Sequence, residues 1–174
     1  IDELLKQSRR LAKRVKKEGR ENTDVRIAVL GSASIQYFVM VLRFLLEQEG
    51  IYADIYEGEY NGITMDIMDP DSGFYTFRPE IVIILPDYRD IKIFPNHLET
   101  RENADKLVSE IKSNYKTYWD RISAIQGCQI LQSNFVIPPE HIYGNIERKE
   151  AYSVTAFLEK INRELVMVAP PNVS

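Results

Sequence analysis

The sequence is poor in the residues that build covalent or metal chemistry. It holds one cysteine and two histidines in 174 residues. A single thiol excludes an internal disulfide and any zinc site made of several thiolates. Cys128 sits in the stretch "GCQIL", where a small buried hydrophobe is its ordinary role. No apolar run approaches the roughly 18 residues that a membrane-spanning helix needs. The basic start is not followed by the apolar segment of a signal peptide. These absences lead to an expected cytoplasmic protein with no membrane span. The chain also lacks a glycine-rich loop ending in Lys-Ser or Lys-Thr, and it lacks a three-glycine dinucleotide fingerprint. No cofactor is therefore expected in this domain. A net charge of −4 gives no basis for nucleic-acid binding.

What is present is an ordinary globular composition, 44% apolar and 28% charged, at a length suited to one core. The exception is the first 22 residues. Eight basic side chains lie in the first twenty positions, against Asp2, Glu3 and Glu18. Leu4, Leu5, Leu11, Ala12 and Val15 fall near helical spacing, so a basic helix is expected over 3–18. Residues 23–174 are expected to form the main α/β domain. The chain begins at Ile and stops at "APPNVS", and an excerpt from a longer protein is expected.

Strand and helix patterns alternate along the rest. "VRIAVL" (25–30) reads as a strand buried on both faces. An amphipathic helix to about Gln48 follows, with Ser32 or Ser34 able to cap it and Gly50 closing it. "IYADIYEG" (51–58) alternates as a second strand. "GITMDIMDPDSG" contains a short helix ended by Pro70. "RPEIVIILPD" (78–87) is a continuous apolar run between prolines, the pattern of a central strand. A long helix over about 99–125, a fourth strand in "CQILQSNFV" and a last helix before Pro170 complete the order. Four β-α repeats require a parallel sheet with right-handed crossovers and helices on both faces.

In such sheets ligands sit beyond the C-terminal strand ends, near the point where strand order reverses. The loops 31–34, 57–62 and 86–90 qualify. Their candidate binding residues are Gly31, Ser32, Ser34, Glu57, Gly58, Gly62, Asp87, Tyr88 and Asp90. Ser32 and Ser34, at a strand-to-helix turn, are the candidate nucleophiles. A serine nucleophile needs a base and an oxyanion hole. His97 and His141 are the two histidines, each in a loop after a strand. Asp87 and Asp90 could meet Glu57 or Glu59 around a cation, but their spacing is nonspecific, and no metal site is assigned.

The stretch from "IAVLGSAS" through "YEGEY", "DPDSGFYTFRPE" and "IVIILPDYRD", with the later "LQSNFVIPPEHIYGN" and "INREL", resembles the N-terminal domain of FkbH-like proteins. In that family an SGNH-hydrolase-like domain precedes a haloacid-dehalogenase-type phosphatase domain. The resemblance implies a three-layer α/β/α, flavodoxin-like fold and a second, phosphatase-like domain lying outside this chain. Any Mg would belong to that second domain. It further implies action on a phosphorylated three-carbon donor and on acyl carrier protein, with other members in surface-polysaccharide pathways. The implied partners are the phosphatase-like domain of the same protein and an acyl carrier protein. The basic side chains Arg9, Arg10, Arg14 and Lys17 would suit an acidic carrier.

Against the SGNH pattern, Gly31 matches the opening glycine. Ser32 stands where Asp is expected and Ala33 where the nucleophile is expected. Gly58 or Gly62 matches the oxyanion glycine. Asp87 or Tyr88 falls where an Asn donor is expected, and the late Asp-x-x-His has no match. The favoured expectation is a domain that binds a ligand or carrier protein and assists the phosphatase-like domain. The alternative is an active esterase or acyl transferase using Ser34 or Ser32.

Overall fold

The computed structural model describes residues 23–96, 100–140 and 142–174. The expected basic helix, with Arg9, Arg10, Arg14 and Lys17, lies outside these residues, as do His97 and His141. Four strands form one sheet: β1 (Val25–Gly31), β2 (Ala53–Glu57), β3 (Ile81–Leu85) and β4 (Gln129–Gln132). Their order is β2-β1-β3-β4, and every pair is parallel. The helices are α1 (Gln36–Gln48), α2 (Ile63–Met68), α3 (Gly73–Phe77), α4 (Arg101–Ser123) and α5 (Val154–Val168).

Each central strand is apolar on both sides because both faces are covered. Ala28, Leu30, Val82, Ile84 and Ile130 point into the larger core with Phe74, Trp119, Phe157 and Leu158, so α2 to α5 lie on that side. Ile27, Val29, Ile81, Ile83 and Leu85 face the other way, against Val39, Leu42 and Leu46 of α1. The result is three layers, α/β/α. Trp119 ties α4 to the sheet, with its Nε1 donating to Gln132 Oε1 at 2.7 Å.

Several ends follow local rules. Gly50, at φ +77°, closes α1. Its N–H donates to Glu47 O, and that of Ile51 to Leu46 O, which is the Schellman arrangement. The start of α1 departs from expectation. Its N-cap is Ile35, and no side chain caps it, so neither Ser32 nor Ser34 plays that part. The side chain of Ile35 is pulled inward, 7% exposed, and this packing sets where the helix begins. Two further features carry no periodic pattern. One is the five-residue α3. The other is the chain's end, where the Asn172 and Ser174 backbones bond to Ile130 and Gln132 and extend the sheet beyond β4.

Candidate functional site

The strand order reverses between β1 and β3, since β1 leads outward to β2 and β2 crosses back to β3. A crevice opens above such a reversal. Ser32 sits on its floor, with its N–H donating to Leu85 O at 3.2 Å. That bond continues the β1–β3 ladder by one residue and holds Ser32 inward, only 5% exposed. A cavity of about 740 Å³ rises from this floor, walled by the start of α2, the segment after Asp90 and the face of α4.

The expected residues divide around this cavity. Ser32 and Asp90 line it. Gly62 is buried at the start of α2, and its neighbours Asn61 and Ile63 form the wall instead. Asn61 takes the left-handed conformation, φ 56°, which Asn tolerates better than most residues. Gly31 lies beneath, where an added Cβ would come 2.2 Å from Ile35 Cγ2. Ser34 is exposed and outside the lining. Glu57 borders a separate small cavity beside Arg43 and Glu47. Tyr88 packs on the larger core, with the Arg89 guanidinium 5.9 Å from its ring centroid.

Asp87 is fully engaged. Its carboxylate accepts from Arg89 N at 2.9 Å, Arg89 Nε at 2.9 Å and Arg89 Nη2 at 2.6 Å. These bonds hold the carboxyl below the usual carboxylate range, outweighing the effect of burial. An ionised Asp87 is an acceptor only. It supplies no proton to a developing oxyanion.

Half-buried Gly58 and buried Asp66 form a support behind the 57–62 loop. Gly58 N–H donates to Val29 O at 2.9 Å. The space where its Cβ would stand is filled by Asp66 Oδ2 and Leu30, each 2.9 Å away. Asp66 Oδ1 accepts from the Tyr56 hydroxyl at 2.8 Å, while Oδ2 has no hydrogen-bond partner. Burial raises the Asp66 carboxyl, and the Glu59 charge raises it further against the opposing Tyr56 bond. Tyr56 is itself pushed up to about 12, by burial and then by Asp66. Glycine at 58 is thus required by a carboxyl lying against its Cα.

The α4 wall is what sequence reasoning missed. Asn114, Tyr115, Thr117 and Tyr118 line the cavity. Tyr118 OH and Thr64 Oγ1 lie 2.7 Å apart and bridge α4 to α2. The Tyr115 ring meets Phe135 edge-on, 5.6 Å between centroids. Asn162 holds Phe135 in place, accepting from its N–H and donating to its carbonyl. Burial pushes the Tyr115 phenol well up, with Tyr118 and the Asp90 charge adding to it. That hydroxyl keeps its proton throughout the ordinary pH range. The polar residues Asn114 and Thr117, next to the apolar stripe of α4, were the available signal.

Chemically, the cavity offers hydrogen bonds and apolar contact. Neither the Ser32 hydroxyl nor the Tyr115 hydroxyl has a partner among the described residues. No group of side chains suited to a metal occurs among those residues either. No helix among them is long and apolar enough to cross a membrane.

Residues 26–173 match the family described as FkbH, N-terminal domain. No curated protein matches the chain. Among solved structures the chain is similar to the N-terminal part of the protein BF1531 from Bacteroides fragilis, which contains a phosphatase domain and was complexed with Mg. The identity is 22% and the TM-score 0.77, over 97% of this chain and 43% of that one. This chain therefore spans less than half of that relative. It is also similar to TesA, at 15% identity and TM-score 0.53, over 83% of this chain and 72% of that one. The acetyl xylan esterase AlAXEase gives 13% and 0.50, over 82% and 73%. At such identities these likenesses establish the SGNH-like α/β fold and nothing about activity. With its matched region covering well over half of the chain, this protein belongs to the family of FkbH N-terminal domains.

Proposed function

We propose that this domain binds a ligand in the 740 Å³ cavity without hydrolysing it, and assists a haloacid-dehalogenase-type phosphatase domain of the same protein. In this reading the partner domain handles a phosphorylated three-carbon donor, and an acyl carrier protein receives the product. The observation that carries the reading is the state of Ser32 and Asp87. Ser32 has no hydrogen-bonded base among the described residues, and Asp87 is an ionised acceptor locked to Arg89. A serine without an activating base is a weak nucleophile at neutral pH. An acceptor in place of an oxyanion donor destabilises the tetrahedral intermediate. The similarity to the N-terminal part of a phosphatase-containing protein supports the partnership.

The test is to fill the cavity in the full-length protein. Asn114 is exposed on α4 and lines the cavity, so Asn114→Trp blocks the space without entering the core. Transfer of the three-carbon unit to acyl carrier protein should fall by about tenfold or more, the equivalent of about 1.4 kcal/mol, with the thermal midpoint unchanged. Undiminished transfer by the folded variant would refute the reading.

A further inference from the structure

Three polar residues share the lining of the cavity: Ser32, Tyr115 and Asp90. Ser32 is 5% exposed and Tyr115 9% exposed. Neither hydroxyl has a partner among the described residues, and Asp90 makes no ion pair among them. Asp66 Oδ2 is the enclosed polar atom without a partner among the described residues; the Ser32 and Tyr115 hydroxyls are not enclosed in that way and remain open to hydrogen bonding from the cavity. The lining runs along α4 from Leu107 to Tyr118, about 16 Å at the helical rise per residue. That stretch is bordered by Ile91, Ile93, Leu107 and Ile111.

The charges lining the cavity decide the ligand class. Asp90 and Glu110 carry two negative charges, and Lys92 is the one cation among the described lining residues. A phosphate group carries about −1.5 to −2 at neutral pH. Bringing it beside Asp90 places like charges together, which is unfavourable. A neutral hydroxyl group instead donates to Asp90 and accepts from Ser32 and Tyr115.

We propose that the cavity takes an uncharged, elongated ligand with hydroxyl groups against Ser32, Asp90 and Tyr115 and an aliphatic stretch along α4, and that it rejects a phosphorylated one. This rests on the binding-domain reading and deepens it. The phosphorylated donor is then bound elsewhere in the protein, and what reaches this cavity carries no phosphate.

The experiment uses the full-length protein with Asn114→Cys, which places a thiol at the cavity wall. Maleimide modification of that position is followed by peptide mass spectrometry in the presence of matched probes. Cys128 is buried, and its thiol is pushed up to about 11 by burial, so it reacts slowly. At equal concentration, 1,2-octanediol should slow modification by about threefold or more, and octyl phosphate should give none of this protection. Adding Tyr115→Phe or Asp90→Asn should remove most of the diol's effect. Equal or better protection by octyl phosphate overturns the proposal. So does a lack of protection by either probe, or diol protection that survives both substitutions. A fluorophosphonate adduct on Ser32 would instead defeat the non-hydrolytic reading, whatever the protection pattern, so the two failures are separable.

Discussion

Trp119→Ala should lower the unfolding free energy by about 3–5 kcal/mol, the usual cost of truncating a buried aromatic to alanine. The side chain is 2% exposed and lies in the larger core between α4 and the sheet. Its removal opens a void that the four-stranded scaffold can close only in part. It also leaves Gln132 Oε1 without its 2.7 Å donor, a further cost for a partly buried acceptor. The effect reaches the cavity, because α4 is both the anchored helix and the cavity wall. Trp119 is the sole tryptophan, so its loss removes the fluorescence signal. Urea unfolding must therefore be followed by circular dichroism, with a reduced midpoint and unchanged slope as the expected result. A change below about 1 kcal/mol would contradict this packing.

Gly31→Ala should cost about 1–3 kcal/mol, the range for forcing an extra methyl into a packed site. Backbone strain is not the reason, since Gly31 is not among the residues with positive φ. The reason is Ile35, whose Cγ2 would lie 2.2 Å from the new Cβ. Ile35 cannot retreat freely, because it is buried with Val39 in the smaller core. The Gly31 position and the Ser32 N–H bond to Leu85 O would shift together, moving the cavity floor. A double-mutant cycle isolates the clash. In an Ile35→Ala background the Gly31→Ala cost should largely vanish, whereas simple additivity of the two costs would contradict the account.

The parts of the fold that were legible in the sequence are those where local pattern and tertiary demand agree. "VRIAVL" and "EIVIIL" read as buried strands because β-branched runs between breakers have few other uses, and β1 and β3 are the central pair. Gly50 read as a helix terminator because the left-handed closing position favours glycine. The cap of α1 was misread for the opposite reason. Ser34 is a good capping residue by type, but inward packing of Ile35 against Gly31 decides where the helix starts. Three loops qualify for the crevice by their place after strand ends. Ser32 and Asp90 line the cavity, while Glu57 borders another recess and Ser34 is exposed. One ladder bond separates the two serines' environments, and no local pattern encodes it.

The cavity wall was hidden by the same logic. The spacing of Ile111, Tyr115 and Tyr118 places them on one face of a long helix. A face packed on a core and a face lining a cavity have the same periodicity. Only the tertiary position of α4, rising beside the 90–93 segment, turns that face into a wall. Asp66 was invisible too, because an acid near a helix start reads as an ordinary first-turn residue. Its burial beside Gly58 and Tyr56 comes from a contact ten residues back along the chain.

The account turns on Ser32 and Ser34 being unreactive hydroxyls in a binding domain. The most direct measurement is exposure of the full-length protein to a fluorophosphonate at a concentration that fully labels a working serine esterase, followed by peptide mass spectrometry. The expected result is no adduct on Ser32 or Ser34. A stoichiometric adduct on either serine, lost in the matching Ser32→Ala or Ser34→Ala variant, would contradict it.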